Sequence, residues 1–223
     1  ARGDIQVRRL GWYDGGVLRG YAAYRFESAS DSNYTQNRLS VEELVYEDGA
    51  ILRGLLGGLN MQADLAQTVI LRTGEEDFHH LLDDPQDVSK NYIDYGFLQT
   101  NVSAVGTMFK LVDGEDFVRR TAYRPFPAGT LTAAFRYRDE LADSERCLRI
   151  AFSGGRWAAA DADAAADVTV TCRQGDLASL LMGSCQLEGM LRLGAASADN
   201  GEAAQQLSRL LHYAQKPFLN SDY

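Results

Sequence analysis

The sequence predicts an α+β fold in two parts, and three observations predict it. Between Val17 and Val112, strand-like and helix-like stretches run strand, strand, helix, strand, helix, strand, the order of a mixed sheet with crossover helices. Pro125-Phe126-Pro127 and Gly129 then break the chain and lead into a second unit, which opens with alternating strands and closes on apolar helices. The length of 223 residues suits one large domain or two small ones, and 45% apolar with 24% charged residues is an ordinary globular composition.

In the first part, Ile5 to Leu10 alternates weakly, as a strand does. Trp12-Tyr13-Asp14-Gly15-Gly16 is a turn, because Asp-Gly-Gly supplies residues that tolerate positive φ. Val17 to Phe26 is the next strand, so the two form a hairpin. Ala29 to Asn37 is polar and reads as a loop, and Leu39 to Tyr46 as a strand. Glu47-Asp48 caps a helix over 49–61, with Ile51, Leu52, Leu55, Leu56 and Leu59 on one face. Gln67 to Arg72 follows as a strand whose Val69, Ile70 and Leu71 suggest burial on both faces. Thr73 opens a Thr-x-x-Glu box that predicts a short helix over EEDFHHLLDD, stopped by Pro85. Residues 86–103 read as a long surface loop, and Met108 to Val112 as a strand. The boundary falls near Asp113 to Glu115, giving units 1–114 and 115–223, with a connecting helix to Arg120.

In the second part, Leu131, Ala133, Phe135 and Tyr137 alternate with polar or small residues, and Leu148, Ile150 and Phe152 do the same. Both read as half-buried strands. Gly154-Gly155 turns the chain before Trp157, and 158–166 is a strand end and loop. Val168 to Gly194 is the organising stretch. Val168, Val170 and Cys172 share one strand face. Asp176 then reads as an N-cap, Leu177, Leu180 and Leu181 as a short helix, and Gly183 as its C-cap. Leu187, Met190, Leu191 and Leu193 make a second apolar element. A last helix over Glu202 to Ala214 is ended by Pro217.

The net charge of −9 argues against nucleic acid, which needs a basic face. No apolar run approaches the ~18 residues of a membrane span. The first residues have no apolar core and so are no signal peptide; starting without Met on strand-like sequence, they lead us to expect a missing upstream part. Cys147, Cys172 and Cys185 have no metal-ligand spacing. Free thiols in strands suit a reducing, cytoplasmic compartment.

Several stretches together resemble a known family. GYAAYRF (20–26), LSVEELVYEDGAILRGLLGGL (39–59), the DDP of 83–85, MFKLVD (108–113), DLASLLMG, LEGMLRLG and the closing KPFLNSDY (216–223) look like the C-terminal portion of an Eis-type (enhanced intracellular survival) GNAT N-acetyltransferase. The resemblance implies a mixed-sheet, degenerate GNAT-like half followed by a sterol-carrier-protein-like α/β sandwich. It implies acetyl transfer from acetyl-CoA to an amine, with this chain as the part that binds no cofactor itself. The expected partners are its own N-terminal GNAT domain and further copies in a homo-oligomer. The resemblance also gives Tyr223 a role: its terminal carboxylate would act as the catalytic general base. A frayed terminus is the plain alternative. An apolar-ligand carrier is the other functional class, and an oligomerisation module the third.

The residues bear on this directly. GNAT enzymes hold the cofactor pyrophosphate on free N–H groups of an Arg/Gln-x-x-Gly-x-Gly/Ala loop at a helix N-terminus. The matching place offers Arg53-Gly54-Leu55-Leu56-Gly57-Gly58, with Leu56 where Gly is needed. These residues lie inside the helix, where N–H groups are already bonded, and Glu47 and Asp48 repel phosphate. We therefore expect no acetyl-CoA on this segment. His79-His80 should point to different faces of their helix, and His212 has no partner in view, so no metal is expected. Asp161, Asp163 and Asp167 lack a calcium-loop pattern, and Glu42-Glu43, Glu75-Glu76-Asp77 and Asp83-Asp84 read as surface or capping charges. An apolar small ligand would be lined by Leu177, Leu180, Leu181, Leu187, Met190 and Leu191. A filled core uses the same six residues and is the favoured reading.

Overall fold

The computed structural model describes residues 6–33, 36–93, 96–104, 108–140, 142–214 and 216–218. They belong to two compact units, the first drawn from Ala1–Val105 and Phe218–Tyr223, the second from Gly106–Pro217.

The first unit is a four-stranded sheet with one helix. β1 (Arg8–Asp14) and β2 (Val17–Ser28) are joined through Gly15 and Gly16, at φ 54° and 82°. Only glycine takes that pair of conformations at no cost, so the Asp-Gly-Gly signal marks the turn. β2 pairs antiparallel with β3 (Asn37–Tyr46). α1 (Gly49–Asn60) crosses over, and β4 (Ala66–Leu71) returns parallel to β3. Sheet order is β1-β2-β3-β4. The core of this unit gathers Ala22, Tyr24, Leu39, Val41, Leu59 and Ala66. β4 is an edge strand with Val69 exposed, so the expected two-sided burial does not occur. Thr73 Oγ1 does accept from Glu75 N, yet EEDFHHLLDD forms only a single 3₁₀ turn, Phe78–Leu81. The side-chain cap is local, while a helix needs an apolar face to bury, and this stretch has none that is buried. The loop after Pro85 holds two short paired strands, β5 (Tyr92–Ile93) and β6 (Phe97–Leu98).

In the second unit Met108 to Val112 forms no strand. Leu111 is buried while Met108 and Val112 are open to solvent, so the alternation is real and what is lacking is a partner strand. Asp113 caps α2 (Gly114–Arg120) by accepting from Asp116 N. β7 (Leu131–Asp139), β8 (Ser144–Ser153), β9 (Arg156–Ala159), β10 (Val168–Cys172) and β11 (Ala196–Ala198) form one sheet in the order β11-β10-β7-β8-β9, with β10 parallel to β7. α3 (Gln174–Met182), α4 (Leu187–Leu193) and α5 (Gly201–Leu210) complete the unit. Gly183 and Gly194, at φ 87° and 74°, end α3 and α4 in the left-handed conformation. Asp176 does not cap α3. The helix starts two residues earlier, because Gln174 is buried and donates Nε2 to Leu111 O at 3.0 Å. α5 ends at Leu210, short of the expected Ala214.

Candidate functional site

Chemistry in a β-α-β unit is placed where the first strand hands over to the helix, since free N–H groups collect there. Here that place is the end of β3 and the start of α1. β3 and β4 share register only from Asn37↔Ala66 to Val41↔Leu71, and β3 runs on to Tyr46 beside β2 alone. Asp48 then has extended backbone (φ −151°, ψ 174°), and its Oδ1 accepts from Ala50 N at 2.8 Å and Ile51 N at 2.9 Å. Glu47 pairs with Arg19 at 3.1 Å. The first turn of α1 therefore spends its donors on its own carboxylate.

The glycines of Arg53 to Gly58 are held for another purpose. A Cβ at Gly54 would fall 2.2 Å from the Trp12 ring, and one at Gly58 would fall 2.5 Å from Leu10. They let α1 lie close on β1. With two carboxylates at the helix entrance, the donors capped and the glycines packed, these residues do not fit the pyrophosphate of acetyl-CoA.

In the second unit, five of the six residues expected to line an apolar site are buried: Leu177, Leu180, Leu181, Leu187 and Met190. They pack with Phe135, Phe152, Trp157, Val170 and Leu207 in one core, and Leu191 lies partly buried against it. A pocket of about 230 Å³ opens elsewhere, lined by Phe109, Lys110, Leu111, Glu140, Gln174 and Gly175, and contains none of the six. Tyr223 lies outside the described residues.

Burial raises the thiol pKa of Cys172 to about 11 and that of Cys185 above the ordinary range, with the Asp176 charge adding to both. All three cysteines are free, and Cys147 is exposed. His79 and His80 do not diverge as expected. On the tight 3₁₀ turn their rings lie 4.1 Å apart, and His79 Nδ1 is 3.2 Å from Glu76 O. Among the described residues no three His, Cys, Asp or Glu side chains converge as metal ligands, and no helix is long and apolar enough to cross a membrane.

Sequence reasoning missed two features. The buried role of Gln174 is one, because its bond to Leu111 O joins residues 63 positions apart and leaves no local pattern. The polar face of the second sheet, where Arg136 and Arg149 come together, emerges only once the strands are in register.

Residues 2–101 match a family model described as acetyltransferase (GNAT) domain. Residues 115–220 match one described as sterol carrier protein domain. No curated protein matches the chain in sequence. Among solved structures, the chain is similar to Eis1 from Mycobacterium abscessus, at 19% identity and a TM-score of 0.62, over 99% of this chain and 51% of that one. It is also similar to a probable N-acyltransferase of unknown function from Enterococcus faecalis, at 16% identity and TM-score 0.66, over 100% and 51%. A third is a GCN5-related N-acetyltransferase from Anabaena variabilis, at 11% and 0.66, over 97% and 50%. The chain thus spans about half the length of these structures, and at such identities the likeness is one of fold. The chain carries a GNAT-like domain of its own followed by a sterol-carrier-like domain. The GNAT match gives no support to reading it as merely the C-terminal portion of an Eis-type enzyme.

Proposed function

We propose that this chain serves acetyl transfer from acetyl-CoA to an amine as scaffold and substrate-pocket wall, with the cofactor held by a different GNAT domain and not at α1. The GNAT match supports the reaction class. The observation that carries the division of labour is Asp48, whose carboxylate takes the N–H groups that a pyrophosphate would need. Calorimetry with acetyl-CoA is the test. We expect no heat of binding, and micromolar affinity would overturn the reading. Asp48→Asn keeps a cap and removes the charge; it too should stay silent, because the packed glycines remain.

Two finer parts of the proposal have their own tests. The Tyr223 carboxylate acts as general base, so extending the chain past Tyr223 should cost turnover roughly 10²–10⁴-fold when the complete enzyme is assayed, whereas replacing the Tyr223 side chain should matter less. The sterol-carrier match supports a second reading, apolar-ligand binding. The five buried residues among the six leave it the weaker one, since a ligand would have to displace packed side chains. Native mass spectrometry after loading with a fatty acid decides: a bound ligand that Leu180→Trp removes would establish the carrier. The three free thiols accord with a reducing, cytoplasmic setting.

A further inference from the structure

The pocket of about 230 Å³ in the second unit is built from three separate stretches of chain. Phe109, Lys110 and Leu111 come from the run before α2, Glu140 from the turn after β7, and Gln174 and Gly175 from the start of α3. The first N–H groups of α1 are taken by Asp48. At α3 the N-cap is Arg173, whose side chain makes no such bond. Leu177 N returns to Arg173 O, but among the described residues nothing accepts from Gly175 N. A Cβ on Gly175 would meet nothing within 4 Å, so the space beside this N–H is open. Asp176, the acid of the same turn, is not part of the pocket wall.

The wall carries both charges, and they do not cancel. Lys110 and Glu140 line the same pocket, yet among the described residues neither makes an ion pair with the other or with any third group. Gln174 adds a neutral acceptor. It is only 9% exposed, and its Nε2 is spent on Leu111 O, while its Oε1 receives no donor among the described residues. A polar atom on so buried a side chain is normally bonded, so an unmet one in a pocket wall points to a donor from outside the chain. Phe109 and the buried Leu111 supply the apolar part of the wall.

A phosphate would gain one lysine and meet the repulsion of Glu140. A metal cation would find a single carboxylate beside an ammonium. A simple carboxylic acid would leave Glu140 and the Gln174 oxygen unmet. We propose that this pocket binds a small zwitterion, an α-amino acid with an apolar side chain. Its carboxylate accepts from Lys110 Nζ and Gly175 N, where the uncapped start of α3 also favours negative charge. Its ammonium donates to Glu140 and to Gln174 Oε1, both acceptors. Its side chain rests on Phe109 and Leu111. One ligand thus answers the donors, the acceptors and the apolar wall together, and the volume lies just below the ~300–1,000 Å³ of sites for larger molecules.

Calorimetry of the whole chain with L-leucine and L-phenylalanine tests this, and no acetyl-CoA enters the titration, so its outcome is separate from that of the acetyl-transfer reading. Saturable binding of at least one of the two is expected at millimolar concentration or below. Isoamylamine and isocaproate are leucine without its carboxylate and without its ammonium, and each should bind at least about tenfold more weakly than leucine. Lys110→Met, Glu140→Gln and Gly175→Ala should each weaken leucine about tenfold. The first two change exposed side chains and the third adds a methyl to open space, and circular dichroism checks that each variant folds. The charge variants also carry a signature that general damage would not give. Lys110→Met should lose the preference for leucine over isoamylamine, and Glu140→Gln the preference over isocaproate. No saturable binding of either amino acid, single-charge analogues that bind as well as leucine, or preferences unchanged in the charge variants would each overturn the proposal. Isocaproate binding as tightly as leucine would do so by assigning the pocket to carboxylic acids.

Discussion

Cys172 illustrates how one buried group sets a pH limit. Its thiolate would lose solvation beside Asp176, so the folded thiol titrates at about 11, while an unfolded one titrates near ~8.5. Between those values the unfolded chain has released a proton that the folded chain keeps. Stability therefore falls as pH rises through that window, and the group contributes no change below it. Burial also raises Tyr213, which steepens the loss at still higher pH. We expect Tm to be flat around neutrality and to decline above pH ~9, with a shallower slope in Cys172→Ser. An identical slope in that variant would remove Cys172 as the cause. The same geometry predicts that at neutral pH a thiol reagent modifies exposed Cys147 well before Cys172 or Cys185.

At the scale of the element, α1 could be read from sequence because every local signal agrees: Asp48 as cap, apolar residues at helical spacing, and burial of Ile51, Leu52, Leu55 and Leu59. Its glycines were legible as something other than a phosphate loop, but not as packing glycines, since their neighbours Trp12 and Leu10 lie far back in the chain. Met108 to Val112 failed for the same kind of reason: alternation is local, and a strand also needs a partner. β11 escaped notice because three small residues, Ala196 to Ala198, carry no periodicity. The close approach of α1 to the sheet gives a sharp test at Gly20. A Cβ there would lie 2.6 Å from Ile51 Cγ2 and 2.8 Å from the backbone oxygen of Val45. The carbonyl is fixed in the β2–β3 ladder and cannot yield, so Gly20→Ala should destabilise the chain by about 1–3 kcal/mol, in the range of overpacked cores. Asp48→Ala should cost about 1 kcal/mol through the lost cap. Urea unfolding measures both. A neutral Gly20→Ala would show that α1 rides more loosely than its packing implies.

For the whole molecule, the two-part division was foreseeable from Pro125 to Gly129 and from the change in strand pattern, whereas the unequal strength of the two cores was not. Among the described residues the first unit has six buried residues in its core cluster, with Ile51, Leu52 and Leu55 of α1 also buried, and β4 is an edge strand. The second gathers 23, including Phe135, Phe152 and Trp157, and adds the edge-to-face pairs of Phe126 with Phe152 and of Phe117 with Trp157. Trp157 is further fixed by donating Nε1 to Thr121 O at 3.0 Å. Buried apolar area is the main stabilising term, so separate cores of such different size should not unfold together. We expect the first unit to open at lower temperature, leaving the second folded. The two tryptophans make this measurable, because Trp12 belongs to the first unit and Trp157 to the second. In Trp12→Phe the remaining fluorescence reports Trp157 alone, and its transition should lie above the temperature at which α1 amides lose hydrogen-exchange protection. Coincident transitions would mean that the two units unfold as one cooperative body, with stability shared between them despite their separate cores.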